Sequence, residues 1–116
     1  MVLATIRMII PPKKRSEALD ILRSMAKRWK NHSGCLGCHI YEDAQEENAI
    51  MFEEMWRSEE DLERHLRSEE YRNLLLVIEM AFKHPEVRFN TVSTSTGIET
   101  IEKARGHGQH PGKLEG

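Results

Sequence analysis

A histidine on the apolar side of a short helical segment is the strongest candidate for chemistry in this sequence. His65 stands beside Leu62 and Leu66, at a spacing that places all three residues on one helix face. Imidazole titrates close to neutral pH, so an inward histidine can act as a general base toward an acidic hydroxyl group. The alternative is a core histidine that is satisfied by a backbone carbonyl group. The residues alone leave both interpretations open.

Aromatic residues are few, yet most of them fall at inward positions of the predicted elements. They make up 6% of the chain. Those that could line a pocket between a sheet and helices are Trp29, Phe52, Trp56, Tyr71 and Phe89. Such a pocket suits a flat aromatic ligand, because rings offer large and rigid apolar surfaces. For each of these residues, ordinary core packing is the alternative.

Cys35 and Cys38 have the C-x-x-C spacing of redox and metal-binding motifs. A redox pair of this kind opens a helix, whose N-terminus lowers the thiol pKa. Here the motif follows a predicted helix and leads into a strand. Zinc needs four ligands, and His39 should point away from Cys38, because neighbouring residues of a strand face opposite sides. We therefore predict no metal site and no function for these thiols.

Other charged residues are weaker candidates. Arg7 and Arg88 lie on predicted strands and could stabilise an enolate or phenolate, but a solvated or interface salt bridge is the more ordinary role. Glu53 and Glu54 are neighbours in a strand, so they point to opposite faces and cannot act as a carboxylate pair. The sequence has no glycine-rich phosphate loop, so we predict no nucleotide, flavin or other cofactor.

Composition and charge restrict the class of protein. The chain has 116 residues, of which 39% are hydrophobic and 31% charged, as is typical of one soluble domain. Its formal net charge of -2 lacks the basic excess of nucleic-acid-binding proteins. No apolar run approaches the roughly 20 residues of a membrane helix. We expect a small-molecule ligand and, since the chain has no secretory leader and only two cysteines, a cytoplasmic location.

Hydrophobic periodicity predicts the order strand, helix, strand, strand, helix, strand. The predicted strands are 2–10, 38–43, 49–56 and 86–94, and the predicted helices are 13–30, 59–67 and one that begins at Ser68. The apolar face changes near Ser68, so we expect a break there. The apolar stripe after it consists of Tyr71, Leu74, Leu75, Ile78 and Phe82. We place the domain at 1–94, a short helix or extension at 95–105 and a disordered tail at 106–116.

This order of elements is that of the split βαβ, or ferredoxin-like, α+β fold with a four-stranded antiparallel sheet. Right-handed crossovers place both helices on one face of the sheet. The first and third predicted strands are apolar on both faces, so the second face also needs a cover. A second copy packed sheet to sheet is the simplest cover, so we predict a homodimer that forms an α+β barrel.

Four segments resemble one known family. They are ATIRMIIPPKKRSEALDILRSM at 4–25, SGCLGCHIYED at 33–43, FEEMWRSEEDLERHLRSEEYRNLL at 52–75 and VRFNTV at 87–92. Together they resemble the antibiotic biosynthesis monooxygenase domain, a dimeric α+β barrel, over about residues 2–94. The most specific part extends from Glu54 through Trp56, His65 and Ser68 to Tyr71, and the Gly-Cys pair at 34–35 supports it.

The resemblance implies small-molecule chemistry, but the family includes cofactor-free oxygenases of quinols and anthrones, haem-degrading enzymes and isomerases. Cofactor-independent oxygenation of a quinol-, anthrone- or phenol-like substrate by dioxygen is the interpretation that we favour. It implies His65 as the base, with Trp56 and Tyr71 as pocket walls. An isomerase of a small carbonyl metabolite and a non-enzymatic dimeric binding protein stay open.

Haem degradation is a poorer fit to the residues. The haem-degrading relatives have an Asn on the first strand, a Trp on the helix and a downstream His that binds iron. Here the first strand has no Asn, His65 stands in the place of the Trp, and Leu75 stands in the place of the iron ligand. Without an axial ligand the haem interpretation loses its chemical centre.

Overall fold

Strands and helices follow one another in the predicted order within the part of the chain that the structure describes. The computed structural model describes residues 1–106. Its elements are β1 (Val2–Ile9), α1 (Pro12–Trp29), β2 (Cys35–Glu42), β3 (Ala49–Trp56), α2 (Glu59–Leu66), a 3₁₀ turn (Glu69–Tyr71), α3 (Arg72–Met80), β4 (Glu86–Thr91) and α4 (Glu99–Arg105). Apart from Gly106, the predicted tail lies outside the described residues.

The strands form one antiparallel sheet in the order β2-β3-β1-β4. Near its centre, Ile6 of β1 lies between Phe52 of β3 and Val87 of β4. This topology confirms the predicted α+β, ferredoxin-like fold. Among residues 1–106, no helix combines the length and the apolar character needed to cross a membrane.

Local sequence explains where the helices begin. α1 starts at Pro12, where a fixed φ suits the first turn and the missing N–H is not needed. Its buried residues, at steps of three and four, are Ala18, Leu19, Leu22, Met25 and Trp29. α2 is capped by Ser58, whose Oγ accepts a hydrogen bond from the Asp61 backbone N–H at 3.2 Å. Three acidic residues in the first turn of α2 complement the helix dipole.

The two central strands divide their side chains between a helix-covered face and an open face. The helix-covered residues, all 0–3% exposed, are Val2, Ala4, Ile6, Met8, Ile50, Phe52, Glu54 and Trp56. The open sheet face comprises Leu3, Thr5, Arg7, Ile9, Met51, Glu53 and Met55, with His39 and Tyr41 beside them on β2. Its central-strand side chains are half-buried in the single chain, apart from the buried Ala49 at the end of β3. The predicted two-sided apolar character of β1 and β3 is thus present.

β2 begins at Cys35, three residues earlier than the sequence pattern predicted. A bulge at Leu36 allows this, because Cys35 pairs with Trp56 while Gly37 pairs with Met55. The C-x-x-C motif therefore lies inside the strand rather than ahead of it. The extra residue also turns Cys35 and Cys38 toward the same, helix-covered face of the sheet.

The predicted break in the helix near Ser68 is confirmed, but the predicted set of buried residues after it was wrong in part. The 3₁₀ turn changes the helical phase, so Tyr71, Leu74 and Val77 are the buried residues. Leu75 is 47% exposed and Phe82 is 76% exposed. Phe82 lies beyond the end of α3 and cannot continue its stripe. Likewise, β4 ends at Thr91 rather than at residue 94.

Candidate functional site

A buried histidine–glutamate pair joins α2 to β3. His65 Nε2 lies 2.7 Å from Glu54 Oε2, and each side chain is 2% exposed. The oxygen does not lie in line with a ring N–H, so the two atoms are in close contact without an aligned hydrogen bond. Two ionisable groups are tolerated at this depth because each compensates the other. His65 Nδ1 is also buried and has no hydrogen-bond partner within residues 1–106.

Three aromatic rings enclose His65. Trp29 meets the imidazole edge-on, with ring centroids 4.1 Å apart and an interplanar angle of 83°. Trp56 lies against it at 4.4 Å and 32°, and Tyr71 meets it at 5.3 Å and 90°. This aromatic cage fixes the plane of the imidazole and excludes water, which strengthens its attraction to Glu54. Burial, reinforced by the Glu54 carboxylate, raises the pKa of Tyr71 to about 12.

A cleft of about 350 Å³ opens above the cage. Its lining includes His32, Trp56, Asp61, Arg64, His65 and Ser68. Its volume falls in the range of about 300–1,000 Å³ that is common for small-molecule sites. Of the three rings of the cage, only Trp56 lines the cleft, so its floor is formed by Trp56 and His65 and its rim is polar.

Asp61 organises one side of this rim. It is 5% exposed and accepts hydrogen bonds from Ser58 Oγ at 2.9 Å, Arg64 Nη1 at 2.9 Å and Arg57 Nε at 3.2 Å. The Ser58 hydroxyl, followed by the two guanidinium groups, lowers the pKa of the Asp61 carboxyl group. Asp61 thus stays charged at neutral pH and holds Arg64 at the rim.

Glu70 organises the other side. Its Oε2 accepts a hydrogen bond from Trp29 Nε1 at 3.1 Å and lies 3.2 Å from His32 Nε2. The His32 ring faces His65 with centroids 6.2 Å apart. One carboxylate therefore ties a residue of the α1–β2 loop to the aromatic cage.

The family model described as antibiotic biosynthesis monooxygenase matches residues 1–75. The chain belongs to the antibiotic biosynthesis monooxygenase family. The matched segment contains both members of the buried pair and all three rings of the cage. Membership of the antibiotic biosynthesis monooxygenase family indicates a monooxygenase-like function in general terms.

Solved structures share the fold at low sequence identity. Rv0793 from Mycobacterium tuberculosis has a TM-score of 0.74 at 23% identity, over 83% of this chain and 98% of that one. A structure described as an antibiotic biosynthesis monooxygenase has a TM-score of 0.72 at 18% identity, over 81% and 100% of the two chains. A conserved protein from Methanosarcina mazei Go1 has a TM-score of 0.72 at 20% identity, over 77% of this chain and 89% of that one. These likenesses show the fold.

A curated relative matches a shorter stretch. The uncharacterized protein sll1783 of Synechocystis is 27% identical over 59 residues, which are 51% of this chain. The match spans 40% of the length of that relative. It adds no activity to what the family indicates.

Of the aromatic residues predicted for the site, three surround His65 and two do not. Phe52 is fully buried and meets Trp29 edge-on at 5.9 Å, so it supports the cage from below. Phe89 is 49% exposed and lies in a separate groove between β4 and α2. The expected position of Phe89 in the same pocket is therefore wrong, because β4 is an edge strand that α2 covers only in part.

Sequence reasoning missed Glu54 and His32 in this member of the antibiotic biosynthesis monooxygenase family. The sequence contained an indication for Glu54, since this charged residue alternates with Phe52 and Trp56 on the inward face of its strand. Such a position requires a buried partner. His32 had no comparable signal, because a loop residue carries no periodicity. Glu53 and Glu54 do face opposite sides, as predicted.

The remaining candidates have structural roles. Burial raises the pKa of both Cys35 and Cys38, the opposite of what a reactive thiol needs. His39 faces away from Cys38 and lies 4.0 Å from Glu53. Arg7 forms ion pairs on the open sheet face with Asp43 at 3.1 Å and Glu46 at 2.7 Å. Within the described residues, no three His, Cys, Asp or Glu side chains are grouped to hold a metal ion.

Proposed function

We propose that the protein is a cofactor-independent monooxygenase that oxidises a quinol-, anthrone- or phenol-like substrate with dioxygen. The observation that carries this proposal is the Glu54–His65 pair, caged by aromatic rings at the floor of a cleft of small-molecule size. An aromatic floor suits a flat substrate, and a buried imidazole suits a general base. The substrate class comes from the family resemblance and is part of the proposal.

Glu54 determines which nitrogen of His65 is the base. Because Nε2 faces the carboxylate, it retains its proton, and Nδ1 is left to accept one. The carboxylate then stabilises the imidazolium that forms. Nδ1 is buried, so the proposal requires side chains at the rim to move before a substrate hydroxyl can reach it. Proton removal at this point yields a phenolate or enolate in a dry site.

The substrate supplies the electrons. Its anion transfers one electron to dioxygen, which gives superoxide and a carbon-centred radical. Their recombination forms a C–O bond and, after protonation, a hydroperoxide. Cleavage of the O–O bond with loss of the adjacent C–H proton releases water and leaves a carbonyl group. One CH₂ and one O₂ thus give one C=O and one H₂O, and the protein contributes a base, orientation and exclusion of water.

Dioxygen uptake by metal-free and flavin-free protein tests this mechanism. With a hydroquinone or anthrone, uptake should occur without any added cofactor. His65→Ala should reduce it by roughly 10²–10⁴-fold, while His84→Ala, at an exposed histidine, should not. A requirement for added flavin or iron would refute the proposal, as would full activity of a folded His65→Ala. Proton exchange of a carbonyl substrate without oxygen uptake would favour the isomerase.

Haem degradation receives no support from the site. Leu75, which stands in the place of the iron ligand of haem-degrading relatives, is 47% exposed on α3. A binding titration with haem should therefore show no axial-ligand spectrum that depends on the cleft.

A homodimer through the open sheet face is part of the proposal. The half-buried apolar residues Leu3, Met51 and Met55 would be covered by the same residues of a second copy. Light scattering at micromolar concentration should give twice the monomer mass. Met51→Lys should produce monomers, whereas Leu76→Lys, at an exposed position on α3, should not. A monomeric native protein would overturn this part.

A further inference from the structure

A second histidine lies between the buried pair and solvent. His32 lines the same cleft as His65, and their ring centroids are 6.2 Å apart. The His32 side chain is 33% exposed, whereas that of His65 is 2% exposed. As a base, His65 takes up and gives up one proton in each turnover, and the aromatic cage separates it from bulk water. His32 is a titratable side chain that faces the buried ring and also reaches solvent.

The two histidines are held in the same manner. His65 Nε2 faces Glu54 at 2.7 Å, and His32 Nε2 faces Glu70 at 3.2 Å. In each ring, Nδ1 is therefore the atom left to exchange a proton. The Trp29 indole, which donates to Glu70 and packs on His65, fixes the two arrangements relative to each other.

We propose that His32, positioned by Glu70, is a proton relay between His65 and solvent. Its place in turnover rests on the proposed function. The proton accepted by His65 Nδ1 passes to His32 and from there to bulk water, and the peroxide anion takes up one proton from water in return. No net proton is released, and no electron moves in this step. Two hydrogen bonds of about 2.8 Å in series through one water molecule suffice to bridge rings at this separation.

Charged groups beside His32 come from the 3₁₀ turn and from α2. The turn contributes Glu70, while α2 contributes Asp61, Arg64 and His65 to the same cleft. Asp61 is already bound by Arg64 and two further donors. Glu70 is therefore the carboxylate that faces His32 and holds its ring at the edge of the cleft.

Exchange with water of the proton that the protonated His65 ring carries on Nδ1 tests the relay without any substrate. Nuclear magnetic resonance of the full chain with isotope-labelled histidine reports this rate. His32→Gln should slow the exchange about tenfold, less than the loss of a direct base, because water retains some access. Glu70→Gln should slow it by a smaller factor, since its amide oxygen still accepts from Trp29. The matched control His84→Gln should leave the rate unchanged.

The outcomes separate the relay from the oxygenase. An unchanged His65 exchange rate in folded His32→Gln overturns the relay; if that variant does not fold, an unchanged rate in Glu70→Gln overturns it. Exchange that depends on His32 in a native protein without oxygen uptake supports the relay and refutes the oxygenase. With an active enzyme, added imidazole should restore uptake to His32→Gln. Dioxygen uptake that is lost in His32→Gln and is not restored by imidazole would contradict the relay.

Discussion

Glu54 Oε2 and His65 Nε2 are 2.7 Å apart across the boundary between the sheet and α2. Neither side chain reaches solvent, because each is 2% exposed. The pair is thus at once a link between two elements and the chemical centre of the cleft. Loss of either member leaves the other buried without compensation.

The losses from the two single substitutions of this pair should therefore not add up in the double variant. We expect Glu54→Gln and His65→Gln each to lower the free energy of unfolding by about 3–5 kcal/mol. The double variant should lose much less than the sum of the two. Urea denaturation measures these values. Glu53→Gln, one residue away on the open sheet face, is the matched control and should be nearly neutral. Additive effects would show that the two side chains do not interact.

The Tyr71 hydroxyl group should ionise at a higher pH than that of an ordinary tyrosine. Its pKa of about 12, against 10.0 for an ordinary tyrosine, reflects burial and the nearby Glu54 carboxylate. The neutral form is favoured in the folded state, so this contribution to stability is complete below pH 10 and is lost as the pH rises toward 12. Ultraviolet absorbance should resolve a late tyrosinate transition that Tyr71→Phe removes. A single transition at the ordinary tyrosine pKa in native protein would contradict the enclosed position of Tyr71.

The periodicity of the hydrophobic residues and the order of the strands and helices could be predicted from the sequence. Alternation in β1 and β3 identified the inward face, and the helical step placed His65 on the inner side of α2. The partner of His65 could not be predicted from the sequence, because the distance between His65 and Glu54 depends on how α2 crosses the sheet. No local pattern encodes that crossing.

The remaining errors have local causes. The position of Leu75 depended on a helical phase that the 3₁₀ turn resets, so the straight pattern failed there. Phe89 fits the alternating pattern of its strand, but this pattern does not indicate that β4 lies at the edge of the sheet. His32 belongs to a loop, and only the fold brings it to the cleft.

The two cysteines should be dispensable. Cys38 is buried and Cys35 is half-buried, both as free thiols whose pKa is raised by burial. The double variant Cys35→Ala, Cys38→Ala should retain the fold and any oxygenase activity, with a modest loss of stability from the missing sulfur contacts. A thiol reagent should label the native protein slowly and both thiols quickly in urea. Stoichiometric zinc that disappears in the double variant would show a metal site after all.

Gly34 should tolerate no side chain. Its φ is +85°, and a Cβ atom there would collide with the Asp61 carboxylate. Gly34→Ala should therefore lower stability by about 1–3 kcal/mol and disturb the rim of the cleft. The control is Gly97→Ala, where the nearest atom is the flexible end of Glu99. Equal melting temperatures for the two variants would contradict the predicted collision.

The turn before β3 determines which of two adjacent glutamates reaches the histidine. Because β3 is apolar on both faces, its sequence pattern alone does not mark the register, and a slip by one residue would turn Glu53 inward and Phe52 and Trp56 outward. The correct alignment is instead enforced by Asn48, with its φ of 70°, and by Asp43, whose Oδ1 accepts from the Gln45 and Glu46 backbone N–H groups at 2.8 and 3.2 Å. A loosened turn would therefore yield a mixed population during folding, in which some molecules are intact in secondary structure yet misaligned and inert.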